Sequence, residues 1–120
     1  MLQEMDKRVS LRDQLRVDEG PVVLINKFVV DPQDADALMA AWAEDAAFMK
    51  QQPGFISTQL HRGIAGSGTF VNYAVWESVG HFAKAFSQPA FQANLARYPA
   101  STIAEPHLFT KLSVAGICVA

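Results

Sequence analysis

Gln52-Pro53-Gly54-Phe55-Ile56-Ser57-Thr58-Gln59-Leu60-His61-Arg62 and, beyond a glycine-rich link, Thr69-Phe70-Val71-Asn72-Tyr73-Ala74-Val75-Trp76-Glu77-Ser78 together decide the fold. Pro53-Gly54 stops an upstream helix, because proline cannot continue one and glycine accepts the left-handed turn that ends one. Both runs that follow read as strands, and Gly63-Ile64-Ala65-Gly66-Ser67-Gly68 joins them as a hairpin-like connection. Asn72 and Trp76 stand four residues apart on the second run. Strand side chains alternate faces, so both project from one side of the sheet while Tyr73 points to the other. A hydrogen-bonding amide beside a flat indole can hold a planar organic molecule.

Upstream, Gly20-Pro21 punctuates the chain before Val22-Val23-Leu24-Ile25-Asn26-Lys27-Phe28-Val29-Val30, a β-branched run that predicts the first strand. Asp31-Pro32-Gln33-Asp34 then reads as a helix start. Asp31 is expected to accept from free backbone amides, Pro32 fits the first helical position, and Asp34 suits the positive end of the helix dipole. The helix should run to about Gln52. Ala35, Leu38, Met39, Trp42, Ala46 and Met49 form its apolar stripe, with Asp36, Glu44, Asp45 and Lys50 placed largely elsewhere. Downstream, Val79 to about Arg97 is helical, with Phe82, Ala85 and Phe86 as one apolar group and Phe91, Leu95 and Tyr98 as a second. Ser87-Gln88-Pro89 divides it into two short helices. His107 to Val114 predicts the last strand, extending toward Cys118.

The order is therefore β-α-β-β-α-β. That is an α+β, ferredoxin-like arrangement in which an antiparallel four-stranded sheet carries its helices on one face. Phe55, Ile56, Leu60, Val71, Tyr73 and Val75 supply more apolar strand surface than one helical layer covers, which predicts sheet-to-sheet pairing into a homodimer. Residues 21–120 are the expected domain. Residues 1–20 form an N-terminal extension with scattered charges, read either as a helix or arm against a partner subunit or as a disordered tail.

With 120 residues, half of them hydrophobic, 18% charged, and a formal net charge of -2, the chain has enough apolar content for one core and no basic surface for nucleic acid. Neither a signal-peptide core nor the ~20 apolar residues of a membrane span is present. A single cysteine, Cys118, excludes an internal disulfide and a thiolate metal cluster and fits a reduced, cytoplasmic setting. The expectation is no nucleic-acid partner, no membrane and no metal.

Histidine is the side chain best suited to accept a proton near neutral pH. His61, His81 and His107 lie far apart and show no paired spacing for a metal. His61, closing the second strand beside the third, is the expected base. Trp76 has two readings, a core indole or the wall of a pocket. Asn72, in an otherwise apolar strand, either caps a structural hydrogen bond or faces a polar cavity.

Pro53-Gly54-Phe55 after a helix, Leu60-His61-Arg62 closing a strand, and Tyr73-Ala74-Val75-Trp76-Glu77-Ser78 followed by Phe82 resemble the antibiotic biosynthesis monooxygenase domain, a dimeric α+β-barrel family. The resemblance covers about Val22 to Val114. It implies a homodimer with a pocket between sheet and helices in each subunit. It also implies oxidation of a small aromatic, polyketide-like substrate by molecular oxygen without metal, flavin or haem: no cofactor at all. A substrate that has lost a proton is electron-rich enough to pass an electron to oxygen itself. By that resemblance Asn72 donates to the developing enolate oxygen and Trp76 stacks on the ring. Beside those two, Asn26, Phe82 and Phe86 are the expected substrate-binding residues and His61 is the third catalytic candidate. Two other readings remain. One is a non-catalytic small-molecule-binding or stress-response protein on the same barrel. The other is a haem-degrading relative using Asn26, disfavoured because Ala85 and Leu95 stand where such relatives carry a helical Trp and the iron-ligating His.

Overall fold

The computed structural model describes residues 1–118; the last two positions of the expected domain lie outside the described residues. The β-branched and aromatic runs form strands β1 (Val22–Val29), β2 (Phe55–Arg62), β3 (Thr69–Trp76) and β4 (Ile103–Phe109). Helices are α1 (Leu11–Gln14), α2 (Ala35–Lys50), α3 (Val79–Phe86) and α4 (Pro89–Asn94). Short 3₁₀ turns, Pro32–Asp34 and Leu95–Arg97, precede α2 and follow α4. All strand pairs are antiparallel, in the order β2-β3-β1-β4, which is the α+β ferredoxin-like sheet expected from the sequence.

Residues Val22, Leu24, Asn26 and Phe28 of β1 and Phe70, Asn72, Ala74 and Trp76 of β3 share the face under the helices. Its apolar members split into two groups. Val22, Leu24, Ala74, Trp76 and Leu108 pack with Val79, Phe82 and Ala85 of α3. Phe28, Phe70 and Ala104 pack with Ala35 and Leu38 of α2. Between them, Asn26 lies directly opposite Asn72 in the β1–β3 register. Polar amides therefore interrupt the core at its midpoint. A β-bulge between Phe55 and Ser57 resets the parity of β2, so Phe55 lies opposite Trp76 and Thr58 opposite Ala74.

Gly54 adopts φ +86, where a Cβ would run into the His81 ring, so glycine is required to turn the chain from α2 into β2. Ser78 caps α3 by accepting from the His81 backbone N–H at 3.1 Å. Proline at the first position of α4 separates it from α3, as the sequence predicts.

Four expectations are corrected. Asp31 makes no side-chain cap; its N–H instead donates to Ser101 Oγ at 3.2 Å, and that hydroxyl donates to Asp34 at 2.8 Å. The last strand begins at Ile103 and ends at Phe109. Pro106 lies inside it because β4 is an edge strand, where a missing N–H breaks no ladder. Residues 1–20 are neither a free tail nor unpaired. Leu2 bridges Ala104 in parallel, with Ala104 N donating to Met1 O and Gln3 N to Ala104 O, both at 2.8 Å. Farther along, buried Gln14 accepts from Leu108 N at 2.8 Å, so the segment binds the free side of β4 and covers an exposed edge. Finally, Asp45 is 7% exposed and continues the buried stripe of α2.

Candidate functional site

The interruption between the two core groups opens into a cavity of about 310 Å³, at the small end of the ~300–1,000 Å³ typical of ligand pockets. Asn26, Asn72 and Thr58 line it from the sheet. Trp42, Asp45 and Met49 of α2 close it above, Phe82, Phe86 and Phe91 at one side, and Met1 and Leu2 of the N-terminal arm at another. Its walls are mainly apolar, with a few polar groups converging.

Those polar groups differ in how well they are satisfied. Thr58 Oγ1 donates to Asn72 Oδ1 at 2.5 Å, which orients the amide and leaves its N–H₂ to donate elsewhere. Asn26 Oδ1 is buried without a partner among the described residues, and so is Thr102 Oγ1. Both residues line this cavity. A buried polar atom left unpaired costs about 1–3 kcal/mol, so two residues of the cavity lining are held at a cost to the fold.

The aromatic wall is continuous. Trp76, 1% exposed, meets Phe55 edge-on at 5.5 Å and Phe82 at 5.7 Å; Phe82 then contacts Phe86 at 5.6 Å, and Phe86 contacts Phe91 at 5.3 Å. The two readings of Trp76 coincide: it is both core and cavity wall. Phe82 and Phe86 join it along the cavity.

His61 is not brought to the site. It pairs with Val71, whose parity is opposite to Asn72, and is exposed on the far face of the sheet with Tyr73. Histidine 107 shares that far face, opposite Ile25, and His81 is tied to Ser78 at 2.7 Å at the start of α3. No histidine lines the cavity.

The titratable side chains that do line it, among the described residues, are Asp45 and Tyr98. Tyr98 Oη donates to Asp45 Oδ2 at 2.5 Å, and Asn94 Nδ2 donates to Asp45 Oδ1 at 2.6 Å and to Ala41 O at 3.1 Å. Burial raises the Asp45 carboxyl above its ordinary range; the bonds from Tyr98 and Asn94 pull it partly back, and neighbouring Glu44 pushes it up again. Burial, with the bond to Asp45 and its charge, drives the Tyr98 phenol upward, so Tyr98 stays protonated as a donor. Sequence reading missed Asp45 although a signal was present: Leu38, Trp42, Asp45 and Met49 follow steps of four, three and four, a buried helical stripe with a carboxylate in one slot.

Among the described residues no group of three or more His, Cys, Asp or Glu side chains is arranged to hold a metal ion. Among the described residues no helix is long and apolar enough to cross a membrane.

The family profile described as antibiotic biosynthesis monooxygenase matches residues 21–97. Among solved structures, the chain is similar to SnoaB, a cofactor-independent oxygenase from Streptomyces nogalater, at 29% identity and TM-score 0.70, over 82% of this chain and 99% of that one. A candidate monooxygenase from Shewanella loihica PV-4 matches at 30% identity and TM-score 0.69 over the same shares. A protein from Caulobacter crescentus CB15, at 17% identity and TM-score 0.71 over 79% of this chain and 92% of its own, shares the fold. No curated protein sequence matches the chain.

Proposed function

The chain belongs to the antibiotic biosynthesis monooxygenase family, and from that membership we propose that it oxidises a small, planar, polyketide-like aromatic with molecular oxygen and no cofactor. The observation that carries this reading is the Asn26–Asn72 pair across the β1–β3 register, two amides at the centre of an aromatic-walled cavity, with the Asn72 N–H₂ left free because its oxygen already accepts from Thr58.

The chemistry follows from that arrangement. A substrate with an acidic methylene beside a fused aromatic ketone loses a proton to give an enolate, whose negative oxygen the Asn72 N–H₂ and the Asn26 amide hold. The enolate passes one electron to dioxygen. Recombination of the two radicals forms a carbon–oxygen bond, and loss of water leaves a quinone, so methylene and dioxygen become carbonyl and water. A positioned donor to a developing oxyanion contributes about 3 kcal/mol to such a step. Trp76, Phe82 and Phe86 supply flat contact area and keep water from the reactive enolate.

Two copies of the chain pair through their bare sheet faces in this reading. Tyr73 is 42% exposed, and Val29 and Phe109 each 37%, on the side opposite the helices. The molecule acts in the cytoplasm.

Anthrone, supplied under air, tests the reaction. The wild-type protein should consume oxygen and release anthraquinone faster than buffer, and Asn72→Ala should lose about 10²–10³-fold of that enhancement. Oxygen uptake no faster than in buffer refutes the oxidation.

A further inference from the structure

A carboxylate buried beside an apolar cavity is unusual enough to need a reason. Asp45 is 7% exposed, lines the same cavity as Asn26 and Asn72, and among the described residues has no cationic partner on it. Its two oxygens each accept one hydrogen bond, from Tyr98 and from Asn94, whereas an ionised carboxylate has about four acceptor sites. Capacity for another hydrogen therefore remains on both oxygens. The two donors come from residues 49 and 53 positions away in the chain, which locks the carboxylate between α2, α4 and the turn after it.

Every charged group around it leaves that carboxylate as the acceptor. On α2, Glu44 is turned outward, its carboxylate gripped by Arg97 Nη1 at 2.7 and 2.9 Å. Arg97 is thus spent on Glu44. The Met1 amino group, on the arm, donates to Thr102 O at 2.8 Å. Tyr98 is held protonated and donates, and Asn94 cannot titrate.

Resting on the oxidation reading above, we propose that Asp45 is the general base of this site, taking from the substrate the proton whose removal creates the enolate. In anthrone the methylene C–H bond breaks, the proton passes to an Asp45 oxygen, and the electron pair delocalises onto the ketone oxygen held by the amides of β1 and β3. No oxidant takes part in this step. Tyr98 and Asn94 are positioning residues: they aim the carboxylate and keep it ionised. The raised carboxyl suits the task, because a more basic carboxylate accepts a proton better than an ordinary aspartate. Asp45 replaces His61 in that role.

Because proton removal precedes any contact with oxygen, the two ideas separate experimentally. Anthrone is incubated with the protein in D₂O without oxygen, and exchange of its methylene protons is followed by proton NMR; oxygen uptake is measured in parallel under air. Wild type should accelerate exchange over buffer, and Asp45→Asn, shown folded by its melting curve, should lose about 10²–10⁴-fold of that acceleration. Exchange by wild type without oxygen uptake sustains the base and removes the oxidase. Oxygen uptake by Asp45→Asn at the wild-type rate, or wild-type exchange no faster than buffer, overturns the base. Tyr98→Phe provides the second check. Tyr98 lowers the Asp45 carboxyl, so without its hydroxyl the rising limb of exchange against pH should move to higher pH, and an unmoved limb refutes the assignment.

Discussion

Replacing Asn26 by leucine should make the protein more stable and nearly inactive, two effects of opposite sign from one side chain. The side-chain oxygen of Asn26 is buried with no partner among the described residues, and Asn26 stands between buried Leu24 and Phe28 on one strand face while lining the cavity. Leucine has the same branching as asparagine, so its two methyls take the places of the amide atoms and its added volume enters the cavity. Relief of an unpaired buried acceptor amounts to about 1–3 kcal/mol, and the lower half of that range is expected because Asn72 loses a polar neighbour. A gain of ~1–2 kcal/mol corresponds to a melting temperature higher by roughly 4–8 °C in a domain of this size. The oxidation of anthrone should fall about 10²–10³-fold, as one donor to the enolate oxygen is gone. Thermal unfolding by circular dichroism reads the first effect and oxygen uptake the second. A variant that melts lower than wild type, or one that keeps full activity, refutes the argument that Asn26 is held there against the interests of the fold.

Three further outcomes follow from the same structure. Burial raises the folded Asp45 carboxyl above its unfolded value of 3.8, so its contribution favours folding at low pH and is lost as pH rises from 3.8 through its raised folded value; Asp45→Asn should flatten this part of a melting-temperature profile. Gln14→Leu strands the buried Leu108 N–H, should cost about 1–3 kcal/mol, and should speed hydrogen exchange along β4 as the N-terminal arm loosens. Tyr73→Arg places charge in the exposed sheet face and should turn a dimer into a folded monomer by sedimentation, with an unchanged dimer mass counting against pairing through that face.

How much of this was legible in the sequence depends on how far apart the interacting residues are. The β-α-β-β-α-β order rests on local signals, a period of two in Val22–Val29 and Thr69–Trp76 and a proline at 89, and these survive into the structure. Asn72 and Trp76 share the cavity face for the same local reason. Asp45 was only half legible: its slot in the stripe of Leu38, Trp42 and Met49 is local, but the partners that satisfy its carboxylate, Tyr98 and Asn94, lie about fifty residues downstream. The arm was left open for the same cause: Gln14 meets Leu108 across 94 residues. His61 failed through parity. Leu60 opposes Asn72, so its neighbour must face away, and that register depends on a bulge at Phe55/Ser57 which alternation alone does not reveal.

Departures from what a stable core would choose are concentrated in one place. Leucine at 26, an apolar residue at 45 and valine at 102 would each serve packing better than asparagine, a desolvated carboxylate and a threonine with an unpaired hydroxyl. All three border the same cavity, while the packed groups on either side of it, around Trp76 and around Leu38, are apolar throughout. Elsewhere the chain satisfies its buried polar groups with care, as Gln14 does for the β4 backbone and Ser101 for the entry to α2. Sequences that obey local rules everywhere except at one cavity place their function there, because stability is surrendered only where binding or chemistry returns it. The amides lie on the sheet and the carboxylate on the helix, so in the proposed reaction a flat substrate between them would meet a donor to its oxygen from one side and a proton acceptor from the other.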